Sequence, residues 1–187
     1  MKRTHWIGLM AVCASLSAWA QQGARVIQVP FGGGVYYQGS AGWINLPMTV
    51  LVPEKERGAK YWFGTGTSNL HADLPGLHSG VAVANARPTF YMRGYRPGTE
   101  LRLVRETAQT DYRRVKMSGS LDSKVWGQFR PEDVTEVEIE SIAQGVVTVK
   151  PRTDLKPGEY VVVSSVDRGF RALRMAYEFG VATPANR

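Results

Sequence analysis

Apolar positions in this chain fall in short runs rich in Val, Tyr, Phe and Thr, bounded by Gly, Pro, Asn and Asp. Long helical periodicity is missing. Punctuation of this kind marks an all-β sandwich or barrel. The predicted strands are Arg25–Val29, Val35–Tyr37, Pro47–Val52, Tyr61–Phe63, Val81–Ala84, Thr89–Met92 and Glu100–Arg105, then Tyr112–Met117, Thr135–Ile142, Val146–Lys150, Tyr160–Ser165 and Ala176–Val181.

Alternation is clearest in "TEVEIESIAQGVVTVKP". Val137 and Ile139 face one way, and Glu136, Glu138 and Glu140 the other, as in a strand with one wet face. Ala143-Gln144-Gly145 supplies the reversal. A second hairpin is predicted in "TELRLVRETAQTDYRRVKM", with Leu101 and Leu103 on one face and Thr107–Thr110 as its loop. Pro97-Gly98 ahead of it suits the central positions of a type II turn. Residues 64–80, "GTGTSNLHADLPGLHSG", read as one long loop, a kind that is often functional.

"LKPGEYVVV" combines a turn with a valine run. Pro157 and Gly158 make the turn. Tyr160 stands where a tyrosine corner folds its hydroxyl back onto the preceding loop, with Leu155 plugging the core below. Val161 and Val163 share one face, Tyr160 and Val162 the other. Together "ARPTFYMRG", "LRLVR", "DYRRV", "VTVKP", "DLKPGEYVVV" and "YEFGV" resemble uncharacterised exported bacterial β-sandwich proteins over roughly residues 80–181. The resemblance implies an immunoglobulin-like β-sandwich with little helix and brings no catalytic residues with it. A small outer-membrane barrel is disfavoured because the strands lack aromatic girdles at both ends.

The first twenty residues change the picture. Lys2 and Arg3 precede a short apolar stretch ending Ala18-Trp19-Ala20, the pattern of a secretory signal peptide cut after Ala20. The apolar stretch is too short to span a bilayer, so no transmembrane segment is expected after cleavage. Residues 21–187 then form one β-sandwich domain, periplasmic or secreted. The single cysteine, Cys13, leaves with the leader. That removes disulfides, cysteine-ligated zinc and thiol nucleophiles. Net charge is +7, or +5 without Lys2 and Arg3. A mildly basic exported chain suits an envelope protein or an anionic envelope polymer as partner, and not nucleic acid.

Arginine is the strongest bias. Arg87, Arg93, Arg96, Arg102, Arg105, Arg113 and Arg114 fall within 28 positions. Arg93, Arg96, Arg102, Arg105, Arg113 and Arg114 are the expected partner-binding set, since guanidinium groups pair with carboxylates and phosphates. The expected function is a non-enzymatic binding or scaffold module of the bacterial envelope, without cofactor. The alternative is a glycan-binding module using Tyr36, Tyr37 and Trp43, with Trp62 in the core. Third comes a loop-based hydrolase or metal-binding protein. His71, Asp73 and His78 are its weak metal candidates, but their spacing matches no compact metal motif. Ser68 or Ser79 could complete a triad only on paper, because no Gly-x-Ser-x-Gly elbow is present. The glycine-rich "FGGGVYY" and "FGTGTSN" are followed by no helix that could meet a phosphate. Alternate glutamates on one strand sit about 7 Å apart, too far to share one calcium ion unaided.

Overall fold

A computed structural model describes residues 27–55, 69–118, 128–166 and 173–182. The expected signal peptide, the expected strand over Tyr61–Phe63 with Trp62, Ser68, and Arg25 and Val26 lie outside the described residues; the rest of the expected Arg25–Val29 strand, residues 27–29, is irregular rather than strand. Within them the chain is all-β: sixteen strands, β1 to β16, and one short 3-10 turn at Pro131–Asp133. No described helix is long and apolar enough to cross a membrane.

The strands form three sheets. The first runs β13 (Val137–Ala143), β14 (Val146–Pro151), β7 (Phe90–Arg93), β1 (Gly34–Gly39), β2 (Gly42–Asn45). The middle sheet runs β12 (Val134–Thr135), β8 (Glu100–Arg105), β15 (Gly158–Val166), β16 (Leu173–Val181), β3 (Met48–Val50), with β6 (Ala82–Val83) parallel to β16. The third runs β11 (Gln128–Phe129), β10 (Tyr112–Ser118), β5 (Asn69–Pro75), β4 (Glu54–Lys55), with β9 (Thr107–Ala108) pairing β10.

The valine run explains why there are three. On β15, Tyr160 and Val162 enter a core shared with Val35, Phe90, Met92, Val147 and Val149 of the first sheet. Val161 and Val163 point the other way, into a core shared with Leu70, Ala72, Leu74, Val115 and Met117 of the third. A strand apolar at consecutive positions must be dry on both faces. An immunoglobulin-like sandwich has two sheets. Here the middle sheet has two apolar faces, and the third sheet covers the one left over.

The corner at 155–160 forms as expected. The Tyr160 hydroxyl donates to Lys156 O at 2.8 Å, and Leu155 is buried in the first core. Gly158 has φ 148°, and a Cβ there would stand 3.3 Å from the Arg105 guanidinium. Pro97-Gly98 also turns as expected, with Gly98 at φ 85° and the Thr99 N–H on Arg96 O at 3.0 Å.

Other expectations fail, including the single strand over Thr135–Ile142, which divides into β12 and β13 of different sheets. Residues 69–75 are a strand, not part of a loop: Leu70, Ala72 and Leu74 alternate inward, and the whole segment pairs with β10. The hairpin over 100–117 does not form, because β8 and β10 belong to different sheets. Both edges of β8 are taken, by β12 and β15. The chain therefore leaves the middle sheet after Glu106, whose N–H bonds Glu159 O at 2.9 Å, and starts the third sheet with β9. The hairpin β13–β14 forms, but the predicted alternation of buried and wet positions does not: β13 is an outer edge, only Val137 is partly covered, and Ile139 is 42 % exposed.

Replacing Tyr160 by Phe removes only the corner hydroxyl. We expect a loss of about 1 kcal/mol in urea unfolding; an unchanged midpoint would show that the corner does not need this bond.

Candidate functional site

β10 alternates strictly, and its alternation separates two sites. Arg113, Val115 and Met117 face the middle sheet and are buried, while Tyr112, Arg114 and Lys116 are only partly covered. The inward-facing one among the arginines is Arg113, 1 % exposed. Its Nε and Nη2 donate to Gly76 O at 3.1 Å and Pro75 O at 2.9 Å. Nη1 lies 3.1 Å from Glu106 Oε2 and 4.0 Å from Glu159 Oε2, and Nη2 lies 2.6 Å from Glu178 Oε2. These glutamates come from the end of β8, from β15 and from β16, all on the face that meets the third sheet. One guanidinium thus ties three strands of one sheet to the next.

The three carboxyls differ in surroundings. Glu178 Oε1 accepts from the Thr49 hydroxyl at 2.5 Å. Glu159 reaches the rim, where Oε1 lies 3.0 Å from His78 Nδ1 and Oε2 accepts the Ser79 N–H at 2.9 Å. Burial disfavours its charge, but these bonds and Arg113 outweigh burial and hold the carboxyl below its usual range. The Glu106 side chain is 0 % exposed, and its Oε1 has no hydrogen-bond partner among the described residues. Burial, opposed by Arg113 and reinforced by Glu178 and Glu159, pushes this carboxyl up to about 7.

On the opposite face of β10, His71, Gln109, Arg114, Lys116 and Arg130 line a recess of about 310 Å³ with Leu70. Cross-strand register sets Lys116 beside His71 and Arg114 beside Asp73. Asp73 holds Arg114 by two bonds, Nε to Oδ1 at 2.7 Å and Nη2 to Oδ2 at 2.9 Å. Tyr112 supports the same guanidinium from 5.2 Å below. Burial raises the Asp133 carboxyl beside Lys116, whose charge draws it back. Three cations from two elements thus meet one polar hollow.

The expected arginine surface does not form as a unit. Arg113 is buried and cannot touch a partner. Arg102 and Arg105 are exposed but leave β8 on opposite faces; Arg102 pairs with Glu100 at 2.6 Å, and Arg105 donates to Pro157 O at 3.1 Å. Arg96 is exposed at the start of the 96–99 turn. Arg93 donates to Val29 O at 2.8 Å and lies over the Phe31 ring. Arg114 alone among the six lines the recess. Lys116 and Arg130 were missed, although "YRRVKM" already puts Arg114 and Lys116 on one face.

The aromatic set is also divided. Tyr36 is 7 % exposed, and Tyr37 turns inward onto Phe90. Trp43 packs edge-on against Tyr91, 5.0 Å away, in a small cluster with Val29, Tyr36 and Val146. Tyr36 and the partly exposed Trp43 belong to this small cluster, whereas Tyr37 packs against the first core, so the three do not share one surface. His71 and His78 diverge: His71 Nε2 is 3.7 Å from Asp73 on the third sheet, and His78, its ring 82 % exposed, meets Glu159. Among the described residues no group of three His, Cys, Asp or Glu is placed to hold a metal.

The chain matches no family model, no curated protein and no solved structure.

Arg113→Met would leave three glutamates facing one another without their cation. We expect it to cost about 3–5 kcal/mol in chemical denaturation at neutral pH, while Arg102→Ala stays within about 0.5 kcal/mol. Equal effects of the two substitutions would contradict the buried node.

Proposed function

We propose that this chain is an exported, non-enzymatic binding module of the bacterial envelope. It takes an acidic component, a protein or an anionic polymer, on the outer face of the third sheet. The observation that carries the reading is the convergence of Arg114, Lys116 and Arg130 on one polar recess beside His71. Asp73 fixes the Arg114 fork in place, which lowers the entropy lost when a second anion docks. The leader and the positive charge of the chain support an envelope setting. Arg96, Arg102 and Arg105 lie apart from this recess and serve as controls.

Captured acidic material should elute at moderate salt, because exposed ion pairs are screened within about 10 Å at 0.1 M. The double substitution Lys116→Ala with Arg130→Ala should weaken capture on an anionic polymer about tenfold, from two partly exposed charges worth about 0.5–1 kcal/mol each. Arg102→Ala should leave it unchanged. If the double variant binds as well as the parent, the recess is not the binding surface.

A further inference from the structure

Among the described residues, the node around Arg113 holds more carboxyl groups than its one guanidinium can balance. Glu106 and Glu178 are buried and Glu159 is mostly so, and one guanidinium serves all three. Glu178 has both oxygens occupied, by Thr49 and by Arg113. Glu159 has both occupied at the rim, by His78 and the Ser79 N–H. Glu106 has one oxygen on Arg113 and the other, Oε1, buried with no partner among the described residues. A buried carboxylate oxygen without a donor is costlier than the same group protonated, because only the ionised form places a net charge out of water.

We infer that Glu106 is the seat of a retained proton, and that its release couples the pH of the medium to the His78–Ser79 loop. The groups facing Glu106 are Arg113 from β10, Glu159 from β15 and Glu178 from β16, with His78 on the loop beyond Glu159. With the proton in place, the node carries Arg113 against two carboxylates. Once it is lost, a third negative charge shares the same guanidinium. The least buried member, Glu159, is the one that can move out to water. Leaving, it gives up its bonds to His78 and to the Ser79 N–H, two of the ties between that loop and the middle sheet.

The direction of the effect follows from where the proton binds more tightly. The folded chain holds the Glu106 proton more firmly than the unfolded chain, with the carboxyl raised from 4.5 to about 7. Its contribution to stability is therefore complete below pH 4.5 and is lost as the pH rises to about 7.

Carbon-13 observation of the Glu106 carboxyl, with the Ser79 amide shift followed in parallel, tests the inference between pH 4 and 9. Both should turn over together near pH 7. In Glu106→Gln, which keeps an acceptor for Arg113 and carries a permanent donor, the Ser79 transition should disappear, and stability should no longer fall between pH 5 and 7. Glu159→Gln gives an independent arm should the first variant not fold. Removing one neighbouring charge should lower the Glu106 midpoint by roughly half a unit or more. Titration of Glu106 in the ordinary carboxylate range would overturn the inference. So would a Ser79 transition that persists in folded Glu106→Gln, or a Glu106 midpoint unmoved in Glu159→Gln.

Discussion

The architecture depends on one strand being dry on both sides. β15 carries Tyr160, Val161, Val162 and Val163 in succession, all buried. A sheet with such a strand at its centre cannot be the outer layer of anything. The first sheet covers the Tyr160–Val162 side, and the third covers the Val161–Val163 side. Since β8 is already flanked by β12 and β15 in the middle sheet, the chain must cross between sheets after Glu106 to build that third layer.

That crossing brings charge into the interior. Glu106 ends the run of β8, Arg113 lies early in β10, and both must face the seam between the middle and third sheets. A charge in such a place is tolerated only when paired and hydrogen-bonded. Arg113 meets this demand with two backbone carbonyls and the carboxyls around it. The same strand sends its alternate residues, Arg114 and Lys116, to the opposite face. One β-strand therefore carries an internal clamp and the proposed binding surface, separated by its period of two.

Much of this was legible in the sequence where the signal was local. The Lys-Pro-Gly-Glu corner, the tyrosine bond to Lys156, the Pro97-Gly98 turn and the β13–β14 hairpin each rest on residues close together in the chain. The third sheet was not legible, because its evidence is distributed. β5 hides its Leu-x-Ala-x-Leu alternation among glycines, serines and histidines that read as loop. Arg113 looks like its neighbours Arg102 and Arg114, and its burial follows from the position of β16, more than sixty residues on. Adjacent hydrophobic runs joined by four residues suggested a hairpin; only the occupied edges of β8 forbid it. The valine run did carry the decisive clue, since consecutive apolar positions imply cover on both faces. The candidate site was correspondingly half legible: Arg114 belonged to it, whereas Lys116 and Arg130 join it only through the fold.

Native-state amide hydrogen exchange tests the doubly covered strand most directly. The amides of Tyr160 to Val163 should be among the slowest in the chain and should open only with global unfolding. Those of the edge strand β13 should exchange by local fraying. Exchange of the β15 amides as fast as those of β13 would contradict a middle sheet sealed on both faces, and with it the buried placement of Arg113.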